Sequence, residues 1–255
     1  MNYTEYQPAE NIKDIVRNYW RFEVSNQDKI NFPLNHETLP HPEVSIVFIK
    51  QPYFQGIRMQ GPHTRKFEKT IFPNSTYFGI RLMPWITLDP AVLNKQEMLN
   101  TTTRCPQILS KKLESVNFDE STEPELLISL VEERLTLIFS EDIQVTQNNI
   151  VKYICLELSG GKPVGDTIAE IPLSKRVIQK MFKQVVGMSM RNYHSVIRQG
   201  RLWSDFVKTK KNRSDLLYKY GFYDQAHFIN DFKKQMDQTH TDFEKKLSQI
   251  NISIT

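Results

Sequence analysis

Glycine and cysteine are scarce in this 255-residue chain, which has 9 and 2 of them respectively. No run of about 18 or more apolar residues occurs, so no membrane span is expected. The first 20 residues carry mixed charge without an apolar stretch, which predicts no secretory signal. Cys105 and Cys155 match no metal or redox spacing, so we expect two reduced thiols in a cytoplasmic protein.

Sequence signatures of catalysis are also missing. The chain shows no nucleophile–base arrangement and no glycine-rich phosphate loop. We therefore predict no catalytic residue, no cofactor and no enzymatic activity.

Charge divides the chain into two unequal parts. From Asp142 to Thr255 there are 18 Lys and Arg against 11 Asp and Glu, a net charge of +7. The preceding residues carry 15 basic and 18 acidic side chains, a net charge of −3. This asymmetry favours two modules, the second of which faces an anionic partner.

The first part of the chain is rich in predicted strands. Glu43–Lys50 and Ser75–Met83 contain β-branched and aromatic residues at strand spacing, and prolines punctuate the loops around them. Fourteen of the 28 aromatic residues precede residue 86. They could line an apolar pocket or form the core of a small barrel or sandwich.

From Glu123 onward the apolar spacing becomes helical. An amphipathic helix over Glu123–Phe139 has the predicted stripe Leu126, Leu127, Leu130, Val131, Leu135 and Ile138. A second helix, ended by Gly160 and Gly161, has the stripe Ile150, Val151, Ile154, Cys155 and Leu158. We predict a β-rich domain over 1–115, a linker and helix over 116–144, and a helical domain over 145–255.

The segment from Gly165 to Tyr193 predicts a helix-turn-helix unit. A short helix around Thr167–Glu170 is followed by Pro172, and Ser174 is a typical N-cap for a second helix. The apolar side of that second helix comprises Val177, Ile178, Met181, Phe182 and Val185. Its other side carries Lys175, Arg176, Gln179, Lys180 and Lys183.

The segment from Ser214 to Lys234 repeats this plan. A short helix over Asp215–Tyr220, capped by Ser214 or Asp215, ends at Gly221, and Asp224 is placed to cap the next helix. Phe228 and Phe232 point inward, which leaves Gln225, Ala226, Ile229, Asn230 and Lys233 outside. His227 lies beside the core or the preceding turn and has no catalytic partner at a suitable spacing.

Met190–Thr209 predicts one helix between the two units. Its length of roughly 28 Å compares with about 34 Å between successive major grooves on one face of DNA. One connecting helix could therefore seat both units in adjacent grooves.

The sequence YGFYDQAHFINDFKK resembles the signature of the AraC-type (AraC/XylS) transcriptional regulators. The resemblance covers Asn148 to Lys246, and LSKRVIQKMFK matches the first unit of that family independently. The region from Leu39 to Pro84 is similar, more loosely, to a sensor-like domain of unknown function fused to such regulators. The resemblance implies an α+β protein: a β-rich, barrel- or cupin-like domain, then an all-α domain with two helix-turn-helix units joined by a long helix.

By position, the resemblance implies that both outer helix faces contact DNA. Contacts to base edges are expected from Arg176, Gln179, Lys180, Gln225, Ala226 and Asn230. Contacts to phosphates are expected from Lys175, Lys183, Arg191, Lys208, Lys210, Lys211, Arg213 and Lys233. The implied partners are double-stranded DNA, a small-molecule effector in the N-terminal domain, a second copy of the chain and, for an activator, RNA polymerase.

Several residues depart from the family pattern. These are Met190, Leu217, Asn230, Asp237 and His240. They leave open a second class, a protein-interaction adaptor that has lost DNA binding. A third class is a cupin-like metal enzyme with ligands among His36, Glu37, His41, Glu43 and His63, although these lack the close His-x-His pair of a cupin centre.

Overall fold

The computed structural model describes residues 1–25, 33–116, 118, 121–209, 217–247 and 250–254. A part rich in strands precedes a helical part, which confirms the predicted fold class. The strands are β1 (Asn2–Tyr6), β2 (Val16–Val24), β3 (Leu34–Thr38), β4 (Ser45–Gln51), β5 (Phe54–Gln60), β6 (Phe67–Ile71), β7 (Ser75–Leu82), β8 (Ile86–Thr87), β9 (Thr102–Arg104), β10 (Thr146–Gln147) and β11 (Asn251–Ile254).

The helices begin near the end of the strand-rich part. They are α1 (Gln107–Leu113), α2 (Pro124–Leu137), α3 (Asn149–Ser159), α4 (Val164–Ala169), α5 (Lys175–Val186), α6 (Met190–Thr209), α7 (Gln225–Met236) and α8 (His240–Leu247). A π-helical turn over Ile138–Asp142 extends α2. Residues 217–219 are also helical, while the predicted caps Ser214 and Asp215 lie outside the described residues.

A seven-stranded sheet forms the N-terminal part, in the order β11-β1-β2-β7-β4-β5-β9. Its central strand β7 is antiparallel to both β2 and β4. Gly79 in β7 allows close packing, because a Cβ there would lie 2.0 Å from the indole of Trp20. Strands β3 and β6 form a separate two-stranded antiparallel sheet, the β3–β6 sheet.

A short strand lies at the C-terminal end of the described chain, after the two helix-turn-helix units. Strand β11 pairs in parallel with β1, and Tyr3 lies opposite Ile252. The other edge of β1 is already paired with β2. Because β11 occupies the free edge of β1, the backbone groups of this edge gain partners.

The two helix-turn-helix units pack differently. Helices α3 and α5 share the main core with the sheet, where Tyr19, Phe78, Ile154 and Phe182 are all fully buried. The second unit has a separate core. Its buried residues are Leu202, Trp203, Leu217, Phe222, Phe228, Phe232, Met236 and Phe243. The first unit therefore shares the core of the N-terminal part, whereas the second unit has a core of its own, against which Leu39 of the N-terminal part packs.

Three predicted apolar stripes are narrower than the sequence suggested. On α2, Leu126 and Leu130 are 59% and 39% exposed, whereas Leu127 and Val131 are buried. Ile150 on α3 and Val177 on α5 are likewise exposed. Each exposed residue lies next in sequence to a buried one, about 100° around the helix, so it leaves the face that packs.

Candidate nucleic-acid interface

The first unit consists of α4, a turn and α5. The Ser174 hydroxyl accepts a hydrogen bond from the Val177 backbone N–H at 3.4 Å, which confirms the predicted N-cap. Helix α5 ends at Gly187, whose φ of +87° suits glycine. Ile178 and Phe182 on the inner face are fully buried.

The outer face of α5 is strongly basic. Lys175, Arg176, Gln179, Lys180 and Lys183 are all exposed. Their amide and cationic donors can reach base edges or phosphates of a duplex laid against this face. The structure thus brings all five first-unit candidates to one surface.

The second unit turns at Gly221, which has a φ of +71°. The Asp224 carboxylate accepts from the His227 backbone N–H at 2.7 Å, so the predicted N-cap of α7 is confirmed. His227 accepts from the Tyr223 backbone N–H at 3.3 Å and packs edge-on against Phe222. It supports the turn, as expected from its place in the sequence.

The outer face of α7 is less charged than that of α5. Gln225, Ala226, Ile229, Asn230 and Lys233 are exposed there, opposite the buried Phe228 and Phe232. The second-unit candidates therefore also share one surface.

The two units are in register, residue for residue. Ser174 and Asp224 cap α5 and α7, and Gly187 and Asp237 end these helices with positive φ. Asp237 adopts a φ of +51°, a conformation that Asp tolerates better than most residues. Because both helices have 12 residues, each outer position of α5 has one equivalent in α7.

The remaining phosphate candidates fall into two groups. Arg191 is exposed in the first turn of α6. The side chain of Lys208, and Lys210, Lys211 and Arg213 entirely, lie outside the described residues.

A polar network fixes α7 against α6, and no sequence motif indicated it. The Asp231 carboxylate accepts from Ser195 at 2.8 Å and from Arg198 at 2.6 Å. Gln235 donates to the Ser195 hydroxyl at 2.7 Å. Arg198 also lies 4.0 Å from the centre of the Phe222 ring. The only sequence signal was polar Asp231 and Gln235 at positions where α5 has Met181 and Val185.

Glu37 on β3 joins the N-terminal part to the second unit. Its carboxylate accepts from Lys66 at 2.6 Å, from Gln238 at 2.7 Å and from Lys246. Burial alone would raise the pKa of Glu37, but hydrogen bonds from Lys246 and Lys66 lower it to about 2. The Lys66 backbone N–H, just before β6, donates to the Gln235 carbonyl at 2.7 Å, so this segment holds the C-terminal end of α7.

A cavity of about 590 Å³ lies between the seven-stranded sheet, the β3–β6 sheet and α6. Its apolar wall includes Trp20, Phe22, Tyr77, Ile197, Trp203 and Phe243. Two of its cations are neutralised, since Arg17 pairs with Glu43 and Arg81 with Glu5.

Lys69 is a third cation of the cavity wall. Its ammonium donates to the Gln60 amide oxygen at 2.9 Å and faces the rings of Trp20 and Phe67 at 5.7 and 5.4 Å. No carboxylate of the described chain pairs with it. Burial, reinforced by the positive charge of Arg81, lowers the pKa of Lys69 to about 8.

The histidines proposed as metal ligands do not converge. The rings of His41 and His63 are 5.7 Å apart, and His41 Nε2 bonds the Gln60 amide instead. Within the described residues no three His, Cys, Asp or Glu side chains form a group that could hold a metal ion. Glu37 and Glu43 are engaged by cations, as described above.

Family models match both parts of the chain. A domain of unknown function (DUF6597) matches residues 4–101, and a helix-turn-helix domain matches residues 168–246. The latter match coincides with the two capped units. The C-terminal part is an AraC-type helix-turn-helix domain. This helix-turn-helix domain is a DNA-binding domain of transcription regulators.

Solved structures of similar fold align with nearly the whole chain. ToxT from Vibrio cholerae aligns at 13% identity and a TM-score of 0.52, over 96% of this chain and 99% of that one. An apo variant of ToxT from Vibrio cholerae strain SCE256 aligns at 12% identity and a TM-score of 0.53, over 90% and 97%. At this identity the likeness concerns the fold. No curated protein matches the chain significantly.

No helix among the described residues is both long and apolar enough to cross a membrane.

Proposed function

We propose that this protein is a sequence-specific DNA-binding transcription regulator that places α5 and α7 in adjacent major grooves. The observation that supports this most is the shared geometry of the two helices. Each is capped at its start, packed by four buried residues on one side, and exposed on the other side with groups that can bond bases and phosphates. The match of a helix-turn-helix family model agrees with it.

Salt dependence tests the electrostatic part of this proposal. Binding of the full chain to its selected duplex is expected to weaken steeply as salt rises, because phosphate contacts release counterions. Lys175→Ala and Lys183→Ala are each expected to reduce the slope of log affinity against log salt by about 1, with the preferred sequence unchanged. A gel-shift titration at several salt concentrations measures this.

Lys111→Ala is a matched control, because Lys111 is an exposed lysine on α1, outside the helix-turn-helix domain. Its slope should equal that of the unaltered chain. Slopes that do not change in Lys175→Ala or Lys183→Ala would exclude α5 from the phosphate contacts.

The cavity supports a second role for the N-terminal part, namely binding of a small-molecule effector. Lys69 provides one half-buried cation that no carboxylate of the described residues pairs with, and the rings of Trp20 and Phe67 face it. A ligand with an apolar body and one anionic group fits this combination. Because α6 contributes Ile197 and Trp203 to the wall, an occupant would contact both parts of the chain.

The pKa of Lys69 gives this effector site a pH dependence. The ammonium is charged below pH about 8 and neutral above it. Affinity for an anionic ligand is therefore expected to fall as pH rises from 7 to 9. Calorimetric titration with a small panel of aromatic and aliphatic carboxylates at both pH values measures this.

Lys69→Met keeps the length of the side chain and removes its charge, so it should abolish the pH dependence and most of the binding. Lys50→Met, on β4 and outside the cavity lining, is the control. Equal binding by Lys69→Met and the unaltered chain would contradict the assignment. A homodimer, contact with RNA polymerase, and the domain boundaries at residues 115 and 145 stay predictions.

A further inference from the structure

The outer faces of α5 and α7 differ at equivalent positions. The buried pairs Ile178 with Phe182 and Phe228 with Phe232 fix the inner side of each helix. Helical periodicity then places four residues at the centre of each outer face. In α5 these are Arg176, Gln179, Lys180 and Lys183, and in α7 they are Ala226, Ile229, Asn230 and Lys233.

Two of the four central side chains of α7 cannot form a hydrogen bond. Ala226 stands where α5 has Arg176, and Ile229 stands where α5 has Gln179. Ile229 is 38% exposed, so it projects from the face instead of filling the core. A helix that reads DNA with such residues needs an apolar partner in the major groove.

Thymine provides that partner. Its 5-methyl group is the apolar feature that the four base pairs display in the major groove, and alanine contacts it directly in known complexes. Asn230, and Gln225 at the edge of the face, carry amides that pair with the N6 and N7 of adenine. The apolar side chains of this face therefore suit the thymine of an A·T base pair, and its amide side chains suit the adenine.

We infer that the second helix-turn-helix unit recognises an A·T-rich half-site, with Ala226 and Ile229 against thymine methyl groups and Asn230 on adenine. This specificity rests on the proposed DNA-binding function and extends it. It assigns Ile229 a contact with base edges, which the resemblance to the AraC-type family did not imply for this residue.

The charges and contacts of α5 and α7 agree with different roles for the two units. The centre of the α5 face carries three cations and that of α7 carries one, so the first unit supplies more of the attraction to phosphates. The second unit has fewer cations on this face, but its helix α7 is held in a fixed position. Asp231, on the flank of α7, is held by Ser195 and Arg198, so its outer face is presented in one orientation.

Thymine-to-uracil substitution tests the inference, because it removes the methyl group and leaves the hydrogen-bonding pattern of the base. The full chain first selects duplexes from a random-core library. The second half-site is assigned as the positions whose preference changes in Ile229→Gln, which copies the residue that α5 has there. Uracil for thymine in this half-site is expected to weaken binding roughly fourfold per contacted methyl group.

Ile229→Ala should weaken binding of the thymine duplex by a similar factor, and it should make the chain less sensitive to uracil at the contacted position. Uracil in the first half-site serves as the control for general effects on the duplex. Because Ile229 is on the surface, thermal unfolding of both variants should match that of the unaltered chain.

The outcomes separate this inference from the proposed function. A chain that selects no duplex overturns both. A chain that selects a specific duplex overturns the inference alone in three cases: if the second half-site is G·C-rich, if uracil binds as well as thymine, or if no position responds to Ile229→Gln. The last case is also the result expected of an α7 face that contacts a protein.

Discussion

The double variant Arg176→Ala, Gln179→Ala is expected to bind the selected duplex roughly 100-fold or more weakly than the unaltered chain. Each bidentate contact to a base edge contributes about 1–3 kcal/mol of discrimination, and the two side chains lie at the centre of the α5 face. Loss of both should reduce specific affinity much more than affinity for random DNA. Competition gel shifts with specific and random duplexes measure the ratio.

This double variant is expected to change DNA binding without changing the fold. Arg176 and Gln179 are exposed, so their removal leaves the core of α5 and the cap at Ser174 unchanged. Stability is expected to change by less than about 0.5 kcal/mol, which circular dichroism melting can check. The matched control is Lys152→Ala, Lys162→Ala, since these cations pair with carboxylates away from the α5 face. A double variant that keeps full specificity would place base reading elsewhere.

Local signals in the sequence were sufficient to predict the two helix-turn-helix units. Ser174 and Asp224 cap their helices as predicted, because an oxygen acceptor just before an apolar helical repeat satisfies free backbone N–H groups. Gly221 takes the left-handed conformation expected at the end of a helix. These features depend on a few neighbouring residues, and neighbouring residues are visible in one sequence.

Features formed between distant segments were not predictable in the same way. Lys69 faces the cavity because the β3–β6 sheet, the seven-stranded sheet and α6 together enclose it. The residues near Lys69 in the sequence do not indicate this arrangement. The contact of Glu37 with Lys246 joins residues 209 positions apart. The pairing of β11 with β1 joins the two ends of the described chain. Such contacts depend on the whole fold.

The amphipathic stripes show an intermediate case. Spacing identified α2 and α5 correctly, but it also assigned Leu126 and Val177 to the buried side. Periodicity gives the direction of each side chain around a helix, whereas the width of the buried arc depends on the neighbouring elements. The exposed Ile229 shows why this matters, since an outward apolar residue on α7 carries the inferred specificity.

Gly187→Ala is expected to destabilise the protein by about 3 kcal/mol or more. Gly187 has a φ of +87°, which costs an L-residue roughly 1–2 kcal/mol. A Cβ there would also lie 2.6 Å from the Lys95 carbonyl oxygen. Relief of that overlap requires the turn after α5 to move away from the N-terminal part, which adds about 1–3 kcal/mol.

The neighbouring segment has little freedom to adjust. Lys95 is buried, and its ammonium donates to the carbonyl oxygens of Pro84 and Ile86 at 2.8 and 2.5 Å. Burial also lowers the pKa of Lys95 to about 7. A shift of this segment would disturb two hydrogen bonds of a buried cation, so the turn at Gly187 is the part that must yield.

Gly161→Ala isolates the clash from the backbone strain. Gly161 has a φ of +97°, yet a Cβ there would meet no atom within 4 Å. It should therefore cost about 1–2 kcal/mol, the strain alone. Urea unfolding, followed by both fluorescence and circular dichroism to check two-state behaviour, gives the difference. Because Gly187 joins α5 to α6 at the N-terminal part, only Gly187→Ala should also weaken DNA binding at temperatures where the chain stays folded. Equal destabilisation by the two substitutions would show that contact with Lys95 does not constrain the first unit.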